Sequence, residues 1–258
     1  MKLNSKRTFI IGLAFFSICA FWQMYDNIVP LILKYRYGIS DGISGPIMAL
    51  DNVLALFMLP LFGTLSDRKG VRMPFIVVGT AGAVILTVCL SFAKTFSMFF
   101  TLLALLLVSM SIYRSPAVAL MPDVTPKPLR SKANAVINLM GTAGGILVLV
   151  LGMVFKTSST KNALMSYTPF FCAVAGIMLL ALVIFMLTVK EPRLVKEMEL
   201  ESRRYGLEEV PEEADIPRGR LGKGELRSLL FILGSIVLWF MGYNAVTSKY
   251  SVYAEKVL

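Results

Sequence analysis

Seven stretches of roughly 20 apolar residues, separated by short polar segments, constrain this chain more than anything else in it. They run from about Phe9 to Leu33, Ile43 to Phe62, Pro74 to Ala93, Phe96 to Leu120, Ala133 to Phe155, Tyr167 to Val189 and Ser228 to Thr247. At 1.5 Å per residue, each is long enough to cross a hydrocarbon layer about 30 Å thick. A chain of 258 residues that is 56% hydrophobic and 16% charged has more apolar surface than one water-soluble core can hide. The pattern therefore predicts an all-α, multi-pass membrane protein. Lys2, Lys6 and Arg7 before the first apolar run also fit a signal peptide, but no small-x-small cleavage site follows, so the run is read as the first span.

The net charge of +10 would point to nucleic acid in a soluble domain. Here the cations fall in loops. Eighteen of the 26 Lys and Arg lie on one side when the amino terminus is placed inside, which predicts a cytoplasmic amino terminus in the cell membrane and no nucleic-acid partner. Cys19, Cys89 and Cys172 sit singly within apolar runs and histidine is absent. Neither a disulfide framework, a metal site nor a cofactor is expected, and with no nucleophile elbow the chain does not read as an enzyme.

Charges inside spans are costly, about 2.5–3.5 kcal/mol each at mid-membrane, so those present mark function or pairing. Three stand out: Asp26, Asp51 and Arg114. Gln23, Asp26 and Asn27, at i, i+3 and i+4, share one helix face with Trp22 beside it, a set that suits a hydroxyl-rich ligand. These four are the expected substrate-binding residues. Asp51 and Arg114 are expected either to handle a coupling cation or to pair structurally across two helices.

Between the second and third spans lies Gly63-Thr64-Leu65-Ser66-Asp67-Arg68-Lys69-Gly70-Val71-Arg72, whose glycines are expected to permit a tight backbone reversal. Its spacing, Gly63-x-x-x-Asp67-Arg68-x-Gly70-x-Arg72, resembles the loop between the second and third helices of the major facilitator superfamily. The resemblance implies a cytoplasmic gate formed by Gly63, Asp67, Arg68, Gly70 and Arg72. Arg114 to Asp123, followed by Arg130-Ser131-Lys132-Ala133-Asn134-Ala135, is similar to the corresponding run of the sucrose-transporter and glycoside-pentoside-hexuronide:cation symporter branch. Asp123 and Arg130 flank a proline-containing loop, and an ion pair there would complement the gate. Aligned on Pro60 and Gly63, Ala55 and Leu59 stand where the melibiose-type carriers of that branch have paired aspartates, and Asp51 lies a turn away.

The resemblance implies a six-helix bundle over 1–189, built as two inverted three-helix repeats, a cytoplasmic linker over 190–228 with a surface helix near Arg193 to Tyr205, and the first helix of a second half over 229–258. The expected partners are a small solute, a coupling H+ or Na+, the lipid bilayer and the second half of the transporter, the chain being read as a fragment. The implied function is symport of a sugar, glycoside or similar hydroxylated solute by alternating access. Two alternatives stand beside it: efflux of an apolar or cationic compound, hinted at by Gly141-Thr142-Ala143-Gly144-Gly145, and a truncated, non-transporting membrane subunit.

Overall fold

The computed structural model describes residues 3–157, 167–207 and 222–257, and helix is the regular structure throughout them. In chain order the elements are α1 (Ser5–Leu31), extended by a π-helical turn (Ile32–Arg36), α2 (Asp41–Met48), α3 (Leu50–Lys69), α4 (Met73–Ser91), α5 (Phe96–Asp123), a 3₁₀ turn (Lys127–Leu129), α6 (Arg130–Val154), α7 (Thr168–Thr188), α8 (Glu191–Arg204) and α9 (Lys223–Val257). Seven helical stretches are long and apolar enough to span a membrane, matching the seven apolar blocks. The acidic, proline-containing tract 208–221 of the expected linker lies outside the described residues.

The second span differs from a continuous helix. It is interrupted at Ala49, three residues beyond Pro46, which has no N–H to give to the helix ladder. Asp51 thereby falls in the first turn of α3. Tyr25 of α1 marks the same spot, its hydroxyl donating to the Met48 carbonyl at 3.2 Å.

The bundle is built on α1, which packs most extensively on α6 and also on α7, while α5 packs on α4 and α3. Glycines set the closest approaches. A Cβ at Gly144 of α6 would overlap the Phe16 carbonyl of α1, and one at Gly141 would lie 2.8 Å from the Cys19 Sγ. Gly79 of α4 does the same work against α5, where a Cβ would sit 2.9 Å from the Ser109 carbonyl oxygen. In a membrane, where lipid is as apolar as the helices, such backbone-to-backbone contact supplies the van der Waals attraction that holds helices together. The core is filled by Phe21, Met24, Ile28, Phe99, Leu103, Leu107, Phe170, Phe171 and Phe185. Helix α9 runs beside α1, and most of its described side chains are exposed, among them Trp239 and Tyr243.

One sequence expectation is corrected here. Gly63 does not form a reversal, because α3 continues as helix to Lys69 and the turn is made by Gly70 in the left-handed region (φ 64°). Gly63 serves close packing instead: a Cβ there would lie 2.8 Å from the Ser115 Oγ of α5.

Candidate functional site

Two polar centres occupy the bundle, one within the spans and one at the end where α3, α4, α5 and α8 meet. The first joins three helices. Trp22 of α1 lies under Arg114 of α5, with the guanidinium carbon 5.3 Å from the ring centroid. In a desolvated setting a cation over an indole face contributes about 2 kcal/mol. Asp51 of α3 lies within electrostatic reach of both Arg114 and Asp26. Its carboxylate accepts from the Asn52 side-chain amide at 2.9 Å and also lies against the backbone N–H groups of Asp51 and Asn52. The Trp22 indole N–H is buried with no hydrogen-bond acceptor.

Sequence spacing put Gln23, Asp26 and Asn27 on one face, and the structure divides that face between two neighbours. Trp22 and Asp26 belong to the charged centre with Asp51 and Arg114. Gln23 and Asn27 instead line a cavity of about 240 Å³ against α6 and α7, with Val148, Gly152, Thr157 and Phe170. The Asn27 amide donates to the Gln23 backbone carbonyl at 2.7 Å, and Gly145 lies beside the Gln23 Oε1. The expected structural pair between Asp51 and Arg114 is not made at contact distance among the described residues, since Arg114 is drawn onto Trp22.

The second centre is organised by Arg72, whose side chain is 11% exposed. Its Nε donates to the Asp123 Oδ2 at 2.9 Å, and its Nη1 reaches both Asp67 and the Ser66 hydroxyl. Burial works against the charge of this arginine, but the Asp123 and Asp67 carboxylates outweigh it and the net pKa shift is upward. Arg72 therefore fastens the end of α3 to the end of α5. The Asp123 to Arg130 pair expected from sequence is not formed: Asp123 is taken by Arg72, and Arg130 donates to the carbonyls of Thr125 and Pro122 at 3.2 and 3.1 Å, holding the α5–α6 connection. Arg68 is exposed and joins neither arrangement.

Glu191 escaped the sequence reading. It is 6% exposed and caps α4 from 118 residues away, accepting from the Met73 N–H at 2.8 Å and the Arg72 N–H at 2.6 Å. The carboxylate thus meets the positive end of a helix dipole and satisfies two amides that the α4 ladder leaves open. The one signal in the sequence is Glu191-Pro192 one residue beyond an apolar run, a helix start at a span end. Between this cap and the Arg72 network lies an open cavity of about 730 Å³, lined on its far wall by Val195, Met198 and Ser202 of α8.

Two expected results follow for this end of the molecule. Arg72→Ala strands Asp67 and Asp123; with a nearly buried hub but half-exposed partners, the loss lies between that of a buried pair and a surface pair, about 2 kcal/mol, measured as reduced thermal stability in detergent. Glu191→Ala leaves two backbone donors uncapped and costs about 1–2 kcal/mol in the same assay.

Apolar spanning helices, charged groups gathered from three of them, and an ion-pair network at one end define a polytopic membrane carrier. The family model of the Major Facilitator Superfamily matches residues 11–258. The chain belongs to that superfamily and is a membrane transporter. No curated protein matches the sequence.

Proposed function

We propose that this protein is a symporter that moves a sugar, glycoside or similar small hydroxylated solute across the cell membrane by alternating access, coupled to H+ or Na+. The observation that carries this reading is the meeting of Trp22, Asp26, Asp51 and Arg114 from α1, α3 and α5. The Trp22 indole and the Asp26 carboxylate one turn on suit a solute with both apolar ring faces and hydroxyls, and with Arg114 opposing Asp51 the Asp26 carboxylate is left for a cation to balance. Trp22 and Asp26 contact the solute, with Gln23 and Asn27 extending the surface toward α6. Asp51 and Arg114 set the affinity for the cation. Asp67, Gly70, Arg72 and Asp123 form the gate, with Gly63 packing α3 on α5 and Arg130 holding the α5–α6 connection beside it, and the excess of cations on this side supports a cytoplasmic gate and amino terminus.

The efflux alternative drew on the α6 glycines. Gly141 and Gly144 lie against α1, and that packing accounts for the run without a transport role. Counterflow of labelled sugars by the full-length transporter in proteoliposomes tests the proposal. Sugar-dependent exchange supports it; drug resistance conferred on a sensitive strain, with no exchange of any sugar, would replace it with efflux.

A further inference from the structure

A third polar cavity, of about 380 Å³, lies at the same end of the bundle between the amino end of α1, the carboxyl end of α7 and the start of α8. It plays no part in the gate. Lys6, Arg7, Lys190 and Arg193 line it, with Glu197 as the lining carboxylate, and Ile10, Val189 and Leu194 give it an apolar floor. Glu197 is taken by Arg193, which it meets at 2.8 Å. Arg7 is the unusual member. Its side chain is 6% exposed, its Nη2 donates to Glu201 at 3.3 Å, and its Nη1 is buried without an acceptor. Lys6 and Lys190 are exposed and make no ion pair among the described residues.

Arg7, whose guanidinium is buried and short of one acceptor, and Lys6 and Lys190, outside any ion pair among the described residues, line one cavity at the amino end of a 27-residue helix. The positive-inside rule accounts for cations in loops, but not for a buried, incompletely satisfied one. The position fixes the kind of anion. The cavity lies beside the ends of the candidate spans α1 and α7, where a membrane-crossing chain meets the headgroup layer, and Ile10, Val189 and Leu194 add apolar surface to it.

We infer that this cavity is a binding site for the phosphate of an anionic phospholipid in the adjoining leaflet, with Arg7, Lys6 and Lys190 as its ligands. Arg193 steers the headgroup while remaining paired to Glu197. A bound lipid would thereby fasten α1, α7 and α8 to one another at the same end as the α4 cap of Glu191.

The test is retention of phosphatidylglycerol by the full chain purified from vesicles of phosphatidylglycerol and phosphatidylcholine, read by mass spectrometry of the intact protein. Wild type should retain phosphatidylglycerol preferentially. The exposed pair Lys6→Gln with Lys190→Gln should weaken retention about thirtyfold, at roughly 1 kcal/mol per cation near the surface, without unfolding the protein. Arg7→Gln is the second variant and should weaken it as well. A parallel arm adds inorganic phosphate in phosphatidylcholine alone. Equal retention by wild type and the double variant overturns the inference, as does protection of Arg7-dependent thermal stability by inorganic phosphate as strong as that by the lipid.

Discussion

Gly144→Ala is expected to destabilise this protein by about 3 kcal/mol, although it exchanges the poorest unconstrained helix former after proline for the best one. The new methyl would occupy the place of the Phe16 carbonyl of α1, a backbone atom that no side-chain rotation can clear. Helices α1 and α6 must then separate along the largest helix contact in the bundle, losing dispersion contacts over several turns. The control is Gly176→Ala on α7, where a Cβ meets nothing within 4 Å. Helix propensity alone acts there, and the same substitution should stabilise by about 0.5–1 kcal/mol. Thermal unfolding in detergent reads both, and the opposite signs are the substance of the prediction. If Gly144→Ala were neutral, the close approach of α1 to α6 would be wrong.

Asp26→Asn is expected to abolish uphill accumulation of solute while leaving the protein as stable as wild type or more so. The carboxylate contributes little to the fold: it shares its surroundings with Asp51, a like charge within electrostatic reach, and a charge at mid-membrane costs about 2.5–3.5 kcal/mol. Asparagine retains the size and the hydrogen-bonding capacity but neither the charge nor the exchangeable proton. Solute uptake in proteoliposomes, driven by an imposed cation gradient, should be lost, and thermal stability should hold or rise. Loss of both together would make Asp26 a structural residue. Retention of accumulation would remove it from solute contact.

The spans were legible because a membrane reads length and apolarity, and both are properties of contiguous sequence. Ser5–Leu31, Met73–Ser91 and Thr168–Thr188 fall within a few residues of the apolar blocks for that reason. Asp67, Gly70, Arg72 and Asp123 were legible as a set of residues but not as a set of partners. Asp123 lies seven positions from Arg130 and 51 from Arg72, and sequence proximity favoured the wrong cation. In the folded bundle the ends of α3 and α5 meet, and the α4 entrance presents Arg72 between them. Gly63 was misread for a related reason. A glycine beside a charged segment fits a turn, yet its use is set by Ser115 on another helix. Glu191 illustrates the limit most clearly, since a lone carboxylate in a charged linker carries no mark of the α4 amides it satisfies. Helix periodicity placed Trp22, Gln23, Asp26 and Asn27 on one side of α1, but which neighbour each would meet depended on the angle between α1, α5 and α6.

The account stands on Trp22, Asp26, Asp51 and Arg114 sharing one water-filled passage, and cysteine accessibility measures that directly. In a background with Cys19, Cys89 and Cys172 replaced, Asp26→Cys, Asp51→Cys and Arg114→Cys are each treated with a charged, water-soluble thiol reagent, alongside Leu180→Cys and Val183→Cys on the exposed face of α7. The passage predicts rapid modification of the first three and at least tenfold slower modification of the α7 pair, because the reactive thiolate forms only where water reaches it. Equal, slow modification at all five positions would show that the charged groups meet no common aqueous space and would contradict the account.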